Sequence, residues 1–219
     1  MQRFSRSSYR CNAKGPQPLG VLPNLPFGAW VLPRPALFYT RLDLTDVPPR
    51  QRREAALLEL EQQAPFEQPR GWALWQGGRA SIWYWPQALE HQRLPAEGPG
   101  QAPVLPEAAL WLALPAGHWR WLQDTDTGLY LLQYQHPQQG LFERRFPGPV
   151  SAQQAYAWLK RHDAELSEQQ LETLAPQAPP EPGSPQGQSL MPADSPLEQR
   201  LLPGLAVLLV FLSLVYALA

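Results

Sequence analysis

The stretch DTDTG, residues 124–128, is the part of this chain whose residue types and spacing resemble a catalytic motif. Asp-Thr-Gly occurs in aspartic proteases, where two carboxylates share a proton. Asp-x-Asp occurs in phosphatases with an aspartate nucleophile, and Asp-x-Gly turns bind nucleotide phosphate in actin-like ATPases. The protease motif follows apolar residues, whereas Gln123 is polar here, and the chain holds no second copy. We favour a polar turn between strands, which suits Asp, Thr and Gly. A hydrolase that uses Asp124 or Asp126 is the alternative.

The remaining residues with catalytic or metal-binding chemistry are scattered. The single cysteine, Cys11, excludes an internal disulfide and a cysteine metal site. The histidines lack metal-ligand spacing, and they are His91, His118, His136 and His162. There is no P-loop, dinucleotide fingerprint or nucleophile elbow. We therefore predict no catalytic residue, no metal, no cofactor and no enzymatic activity. The net charge of −1 also argues against a nucleic-acid partner.

Two groups of side chains are the candidates for binding a protein partner. Arg50, Arg52 and Arg53 stand near the start of a predicted helix, where the helix dipole disfavours positive charge. Trp83 and Trp85 alternate with Tyr84 along a predicted strand, so both faces of that strand carry aromatic rings. The alternatives are solvated arginines and tryptophans that pack a core. For the nine tryptophans of the chain as a whole, core packing is the interpretation that we favour.

The elements that would position these residues are mixed. The run ALFYTRLDL, residues 36–44, is rich in β-formers. A helix is predicted after it, with Thr45 or Asp46 as its cap, an apolar stripe through Ala56 and Leu60, and an end at Pro65. A β-hairpin follows, turning at Gln76-Gly77-Gly78.

The later part of the chain repeats this kind of pattern. Strands are predicted at 108–114 and 118–122, and a second hairpin at 129–135 and 141–146. A helix capped by Ser151 follows. The sequence therefore predicts an α+β fold with two lobes. Its parts are a flexible segment at 1–27, a first lobe at 28–90, a connector at 91–107, and a second lobe at 108–174.

The last part of the chain predicts a tether and a membrane span. Residues 175–199 are rich in proline and are expected to be a disordered linker. Residues 201–219, LLPGLAVLLVFLSLVYALA, carry no charge and as a helix would span about 28 Å, close to the hydrocarbon thickness of a bilayer. The transmembrane helix is placed at 200–219, and its lipid-facing candidates are Leu201, Leu205, Leu209, Phe211, Leu212 and Tyr216. Because nothing before it looks able to start translocation, the predicted topology is single-pass in the inner membrane, with the N-terminal region cytoplasmic.

The order of these parts resembles a known family. A strand ending in RLDL precedes the basic helix RQRREAALLELEQQAPF, and the aromatic strand ASIWYW follows. Together with GLYLLQYQHPQQGLFERRFPGPVSAQQAYAWLKR, this is similar to the cytoplasmic region and membrane helix of the L-type platform protein of type II secretion, and to its type IV pilus assembly counterparts. The matching stretches include Leu58 to Glu61, Ala64 to Phe66, and Trp158.

The resemblance implies a divergent actin-like, or RNase H-like, fold and a scaffold role. It also implies protein partners, namely an assembly ATPase or inner-membrane platform subunits, with lipid around the span. The nucleotide site of the actin-like relatives is not recognisable, so ATPase activity is not expected. The other function that stays open, besides the hydrolase, is a small accessory subunit that works through its transmembrane helix.

Overall fold

The computed structural model describes residues 7–13, 15–25, 28–94, 102–111, 114–124, 128–162, 164, 175–177, 182 and 184–191. The strands within these ranges are β1 Ser8–Asn12, β2 Gly15–Gly20, β3 Trp30–Leu32, β4 Phe38–Asp43, β5 Pro69–Gln76, β6 Arg79–Pro86, β7 Val104–Pro106, β8 Trp119–Asp124, β9 Leu129–His136, β10 Gly140–Phe146 and β11 Gln188–Ser189. The helices are α1 Arg52–Gln63, α2 Gln87–Arg93 and α3 Ala152–Arg161, with 3₁₀ turns at Arg34–Ala36 and Glu107–Trp111.

The sheet with strand order β11-β5-β6-β4 is built around the predicted tryptophan-rich hairpin. β5 and β6 pair antiparallel from Pro69 opposite Pro86 to Gln76 opposite Arg79. Gly77 takes a φ of +60° in the turn, which a residue with a side chain rarely adopts. Helix α1 covers one face of this sheet with Ala56 and Leu60, both fully buried. The hairpin and the α1 stripe are confirmed.

Helix α1 begins later than the sequence predicts. Its N-cap is Gln51 rather than Thr45 or Asp46. The backbone N–H and the hydroxyl of Thr45 both donate to Asp43 Oδ1, at 3.2 and 2.7 Å. Because the capping side chain is bonded within the preceding turn, it does not cap the helix.

The amino-terminal part is not a flexible tail in residues 8–20, which form the hairpin β1-β2. β1 also pairs in parallel with β3, and β3 in parallel with β7, giving the strand order β2-β1-β3-β7. Ser8 and Cys11 point into the protein and are fully buried. Strand β7 lies in the segment predicted as a connector. The predicted strand at 108–114 is wrong, since the described part of that segment is the 3₁₀ turn Glu107–Trp111.

A third sheet, β10-β9-β8, carries α3 on one face. Trp121 and Leu132 from the sheet pack against Trp158 and Leu159 from the helix. Ser151 caps α3 as predicted, and a full capping box forms because Gln154 bonds back to the Ser151 backbone. The other face of this sheet meets the hairpin sheet, where Tyr39 and Ser81 both donate to the Leu141 carbonyl.

Tryptophans are part of the core throughout, which confirms the packing interpretation. The buried ones among the described residues are Trp30, Trp83, Trp85, Trp111, Trp121 and Trp158. The fold is thus a mixed α+β arrangement with helices packed on antiparallel sheets.

Candidate functional site

The segment predicted to be a free linker is bound to the body of the protein in the part that the structure describes. We call residues 175–177, 182 and 184–191 the strap. The Gln177 backbone exchanges hydrogen bonds with Trp121 and Gln123 of β8, at 2.7 and 2.8 Å. Farther along, Asn24 donates to Ser184, and the Gln186 N–H donates to the Ala109 carbonyl at 3.1 Å. The strap therefore contacts the third sheet, the loop after β2 and the 3₁₀ turn Glu107–Trp111.

The carboxy-terminal end of the strap lies on the edge of β5. Gln188 pairs with Ala73 and Ser189 with Trp72 in antiparallel register. The Leu190 side chain is buried beneath α1 in the core cluster that also holds Leu60 and Ile82. Proline-rich sequence does favour an extended chain, as predicted, but an extended chain also satisfies the open edge of a sheet. One buried leucine adds the apolar contact that holds it there.

The three arginines at the start of α1 have different roles in the structure. Arg52 donates to the carbonyls of Leu44, Thr45, Val47 and Gly77. Arg53 donates to the Leu190 carbonyl at 3.1 Å and to the Met191 carbonyl. Arg50 is exposed. Arg52 thus fixes the loop before α1, and Arg53, although exposed like Arg50, holds the strap.

Trp83 and Trp85, the other predicted docking residues, lie in the core. The Trp83 side chain is fully buried, and its indole N–H points at the Glu143 carboxylate at 3.3 Å. The Trp85 indole donates to Glu90 at 2.7 Å. In this conformation neither ring is presented to a partner.

A group of charged side chains lies between the hairpin sheet and the third sheet, and sequence reasoning missed it. Glu143 is completely enclosed and forms an ion pair with Arg34, which is 1% exposed. Gln133 donates to Glu143 at 2.7 Å. A second acid, Glu107, pairs with Arg10 at 2.7 Å and accepts the Arg34 backbone N–H. The available signal was the alternation of β10, where Glu143 falls on the same face as the buried Leu141.

Two further arginines, Arg145 and Arg120, lie beside this buried group. Burial, and then the nearby Arg145 guanidinium, lower the pKa of Arg34 to about 9. Arg120 is opposite Gln133 in the register of β8 and β9. Its Nε and Nη2 atoms are buried and have no hydrogen-bond partner among the described residues, and burial lowers the pKa of Arg120 to about 10. The cluster is well suited to hold the sheets in one arrangement, since each broken pair would leave a charge in a poorly solvated place.

The other predicted sites are only partly within the described residues. Asp124 is the last residue of β8 and pairs with Leu129, while Asp126 and the rest of the predicted turn, residues 125–127, lie outside the described residues. The predicted membrane residues Leu201, Leu205, Leu209, Phe211, Leu212 and Tyr216 also lie outside them. In the described ranges, no helix has the length and apolar character that crossing a bilayer requires. The same ranges hold no cluster of His, Cys, Asp or Glu that could bind a metal.

Comparisons with known proteins give structural matches. No protein-family model matches the chain, and no curated protein does. One similar solved structure is the cytoplasmic domain of EpsL, an inner membrane component of the type II secretion system of Vibrio cholerae. It shows 20% identity over 64% of this chain, with a TM-score of 0.36, and the match spans 57% of the EpsL domain. Another is a Bacteroides thetaiotaomicron protein with an actin-like ATPase fold and unknown function. It shows 12% identity over 74% of this chain and 79% of that chain, with a TM-score of 0.37.

Proposed function

We propose that this chain is a membrane-anchored, non-enzymatic scaffold of a bacterial type II secretion or type IV pilus assembly platform. The observation that carries the proposal is the strap, which is fixed to the body up to Met191, shortly before the uncharged apolar run at 201–219. An anchor in that run would hold a folded α+β body close to the bilayer. The order of sequence motifs supports the secretion and pilus families.

The expected mechanism is confinement and positioning. A body held at a membrane meets partners held in the same membrane at a high effective concentration, so weak contact surfaces are sufficient. The buried ion pairs support a rigid body, because Arg34, Glu143 and Glu107 lie inside the fold and bond to one another or to neighbouring groups. We assign these charges to structure and not to chemistry on a substrate.

The proposed partners are inner-membrane platform subunits and the assembly ATPase. Arg50 is the residue that we assign to docking at the start of α1, since it is exposed, whereas Arg52 bonds to the loop before α1 and the exposed Arg53 bonds to the strap. A solvent-facing guanidinium at an interface favours an acidic partner surface.

Membrane attachment is tested by fractionation of the full chain expressed in a bacterial cell. The unaltered protein should stay in the membrane pellet after a carbonate wash. The double variant Leu205→Arg/Leu209→Arg should move to the supernatant, because each arginine near the middle of a span costs roughly 2.5–3.5 kcal/mol. Leu58→Arg is the matched control, because Leu58 is 54% exposed on α1. The proposal fails if the unaltered protein is found in the supernatant.

Docking is tested separately by co-purification with the platform subunits and assembly ATPase of the same cell. Arg50→Glu should reduce recovery of a partner several-fold while the circular dichroism and melting temperature stay unchanged. Glu54→Arg, an exposed charge change one turn along α1, is the control. If Arg50→Glu and the unaltered chain recover the same amount of partner, Arg50 is not part of the interface.

A further inference from the structure

The edge of β5 forms a groove that already holds a peptide, namely residues 186–191 of the chain itself. The Leu190 N–H donates to the Gly71 carbonyl at 2.9 Å, and Gln188 and Ser189 pair with Ala73 and Trp72. This is addition of a strand to a sheet edge, a common way for proteins to bind extended peptides. The main-chain bonds supply attraction, so any selectivity must come from the side-chain positions.

The first selective position is the pocket for Leu190. The side chain of Leu190 is 1% exposed and sits over Gly71, next to Leu60 and Ile82. A Cβ at Gly71 would lie 2.9 Å from Leu190 Cδ1 and 3.0 Å from Leu60 Cδ2. The pocket therefore exists because β5 carries a glycine there, and it takes a branched aliphatic side chain.

The second selective position is Gly187, three residues earlier. Its φ is +85°, and a Cβ there would lie 2.5 Å from the Ala73 carbonyl oxygen and 2.7 Å from the Trp72 indole nitrogen. Both the backbone conformation and the space require glycine. The groove thus discriminates for glycine and leucine in the order Gly-x-x-Leu.

Two side chains of the body bind the peptide backbone on either side of this motif. The Trp72 indole donates to the Gln186 carbonyl at 2.7 Å. Arg53 donates to the carbonyls of Leu190 and Met191. These contacts involve only main-chain carbonyls of the peptide, so another peptide with the same spacing of glycine and leucine would make them equally well.

The resident peptide uses only part of the groove. β11 has two residues, whereas β5 has eight. At its other end the resident peptide leaves the β5 edge, and the Gln186 N–H bonds to Ala109 instead. A partner that makes the same contacts at the glycine and leucine positions, and that also places main chain opposite Leu74 to Gln76, would add hydrogen bonds that β11 does not make. Such a partner has a physical basis for displacing residues 186–191.

We propose that the β5 edge is a recognition site for an extended Gly-x-x-Leu segment of a partner protein, and that residues 186–191 occupy it in the absence of that partner. This goes beyond the scaffold function and does not depend on membrane attachment. The partner is defined by its chemistry: an unpaired strand with glycine, then leucine three residues later, and no charge at either position.

The test uses the full chain and a labelled, amidated peptide with the sequence of residues 184–193, SPQGQSLMPA. Fluorescence anisotropy measures binding to the unaltered chain and to Leu190→Asp, which weakens the resident and leaves the groove unchanged. We expect Leu190→Asp to bind the peptide at least tenfold more tightly than the unaltered chain. Peptides with alanine for Gly187 or aspartate for Leu190 should bind at least tenfold more weakly.

A second pair of variants separates groove binding from misfolding. Gly187→Ala in the chain also weakens the resident, and it introduces no buried charge. Adding Arg53→Ala to either variant should reduce peptide affinity several-fold, since the carbonyl contacts are lost. Folding is checked by circular dichroism and by a cooperative melting transition. If the folded Leu190→Asp or Gly187→Ala chain binds this peptide no better than a scrambled one, the proposal is overturned.

Discussion

Glu143 is an acid enclosed by one arginine, one glutamine and one tryptophan. A buried carboxylate is tolerated only when its partners supply opposite charge and hydrogen bonds. Arg34 gives the charge, while Gln133 and Trp83 orient their N–H groups toward the carboxylate. Arg34, Trp83 and the hairpin that carries both Gln133 and Glu143 are three separate parts of the chain, so the cluster forms only when the fold is assembled.

Removing one member of this ion pair should lower the free energy of unfolding more than removing both members. We expect Arg34→Met to lower the free energy of unfolding by about 3–5 kcal/mol, because Glu143 is then left as an unpaired buried charge. Arg34→Met/Glu143→Leu should recover a large part of that loss. Urea denaturation of the single and double variants measures both values. A double variant that is less stable than Arg34→Met would contradict the explanation.

Tyr39 makes stability depend on alkaline pH. Burial raises the pKa of Tyr39 to about 12, from an ordinary value of 10.0. Between these values the folded state keeps a proton that the unfolded chain loses, so the stabilisation is complete below pH 10 and is lost as pH rises toward 12. Urea midpoints from pH 9 to pH 11 should fall less steeply for Tyr39→Phe than for the unaltered chain. Tyr156→Phe, on α3, is the control for losing a hydroxyl.

At the scale of elements, neighbouring residues were sufficient to predict the antiparallel hairpins β5-β6 and β9-β10 and the helices α1 and α3. The glycine turn at 77–78 and the Ser151 cap each depend on a few residues that are close together in the sequence, and both occur as expected. The β1-β3-β7 pairing could not be read in this way, because parallel strands far apart in sequence carry no turn signal. Pro16 and Pro18 also made β2 look irregular, although proline is compatible with an edge strand.

The capping box of α3 should contribute measurably to the stability of the protein. Ser151 Oγ accepts the Gln154 backbone N–H at 3.2 Å, and the Gln154 side chain accepts the Ser151 N–H at 3.1 Å. Ser151→Ala should destabilise the protein by about 1 kcal/mol. Gln153→Ala, at an exposed position of the same helix, should change stability by less than about 0.5 kcal/mol. Thermal denaturation of the two variants side by side makes the comparison.

At the scale of the whole molecule, the strap is the part that sequence reasoning described least well. Its proline content predicted a disordered linker, whereas the described residues pair with β8 and β5. Whether an extended segment is free or bound depends on distant sheet edges and pockets. The pocket for Leu190 forms only where α1 packs over Gly71. A local sequence pattern cannot predict such a contact between distant elements. The predicted docking arginines show the same limit, since their positions were recognised but not their internal partners.

The strap should contribute to the stability of the body. A chain that ends after residue 191 keeps every described strap contact, whereas a chain that ends after residue 174 keeps none. We expect the shorter chain to lose on the order of 3 kcal/mol, from the burial of Leu190 and the main-chain bonds at β5 and β8. Urea denaturation of the two truncated chains gives the difference. Equal midpoints would mean that the strap lies on the surface without stabilising it.

The position of the last described strap residue limits the distance between the body and an anchor at 201–219. Met191 is held at α1 by Arg53, and the apolar run starts ten residues later at Leu201. Ten residues reach at most about 35 Å when fully extended, and about 17 Å as a flexible coil. For a chain anchored through that run, the distance from Met191 to the membrane surface is therefore at most about the diameter of a small domain. Because α1 and the third sheet pack on opposite faces of the hairpin sheet, such an anchor would keep the α1 side nearer the headgroups and the third sheet nearer the aqueous phase, so membrane neighbours and aqueous proteins would meet different surfaces of the body.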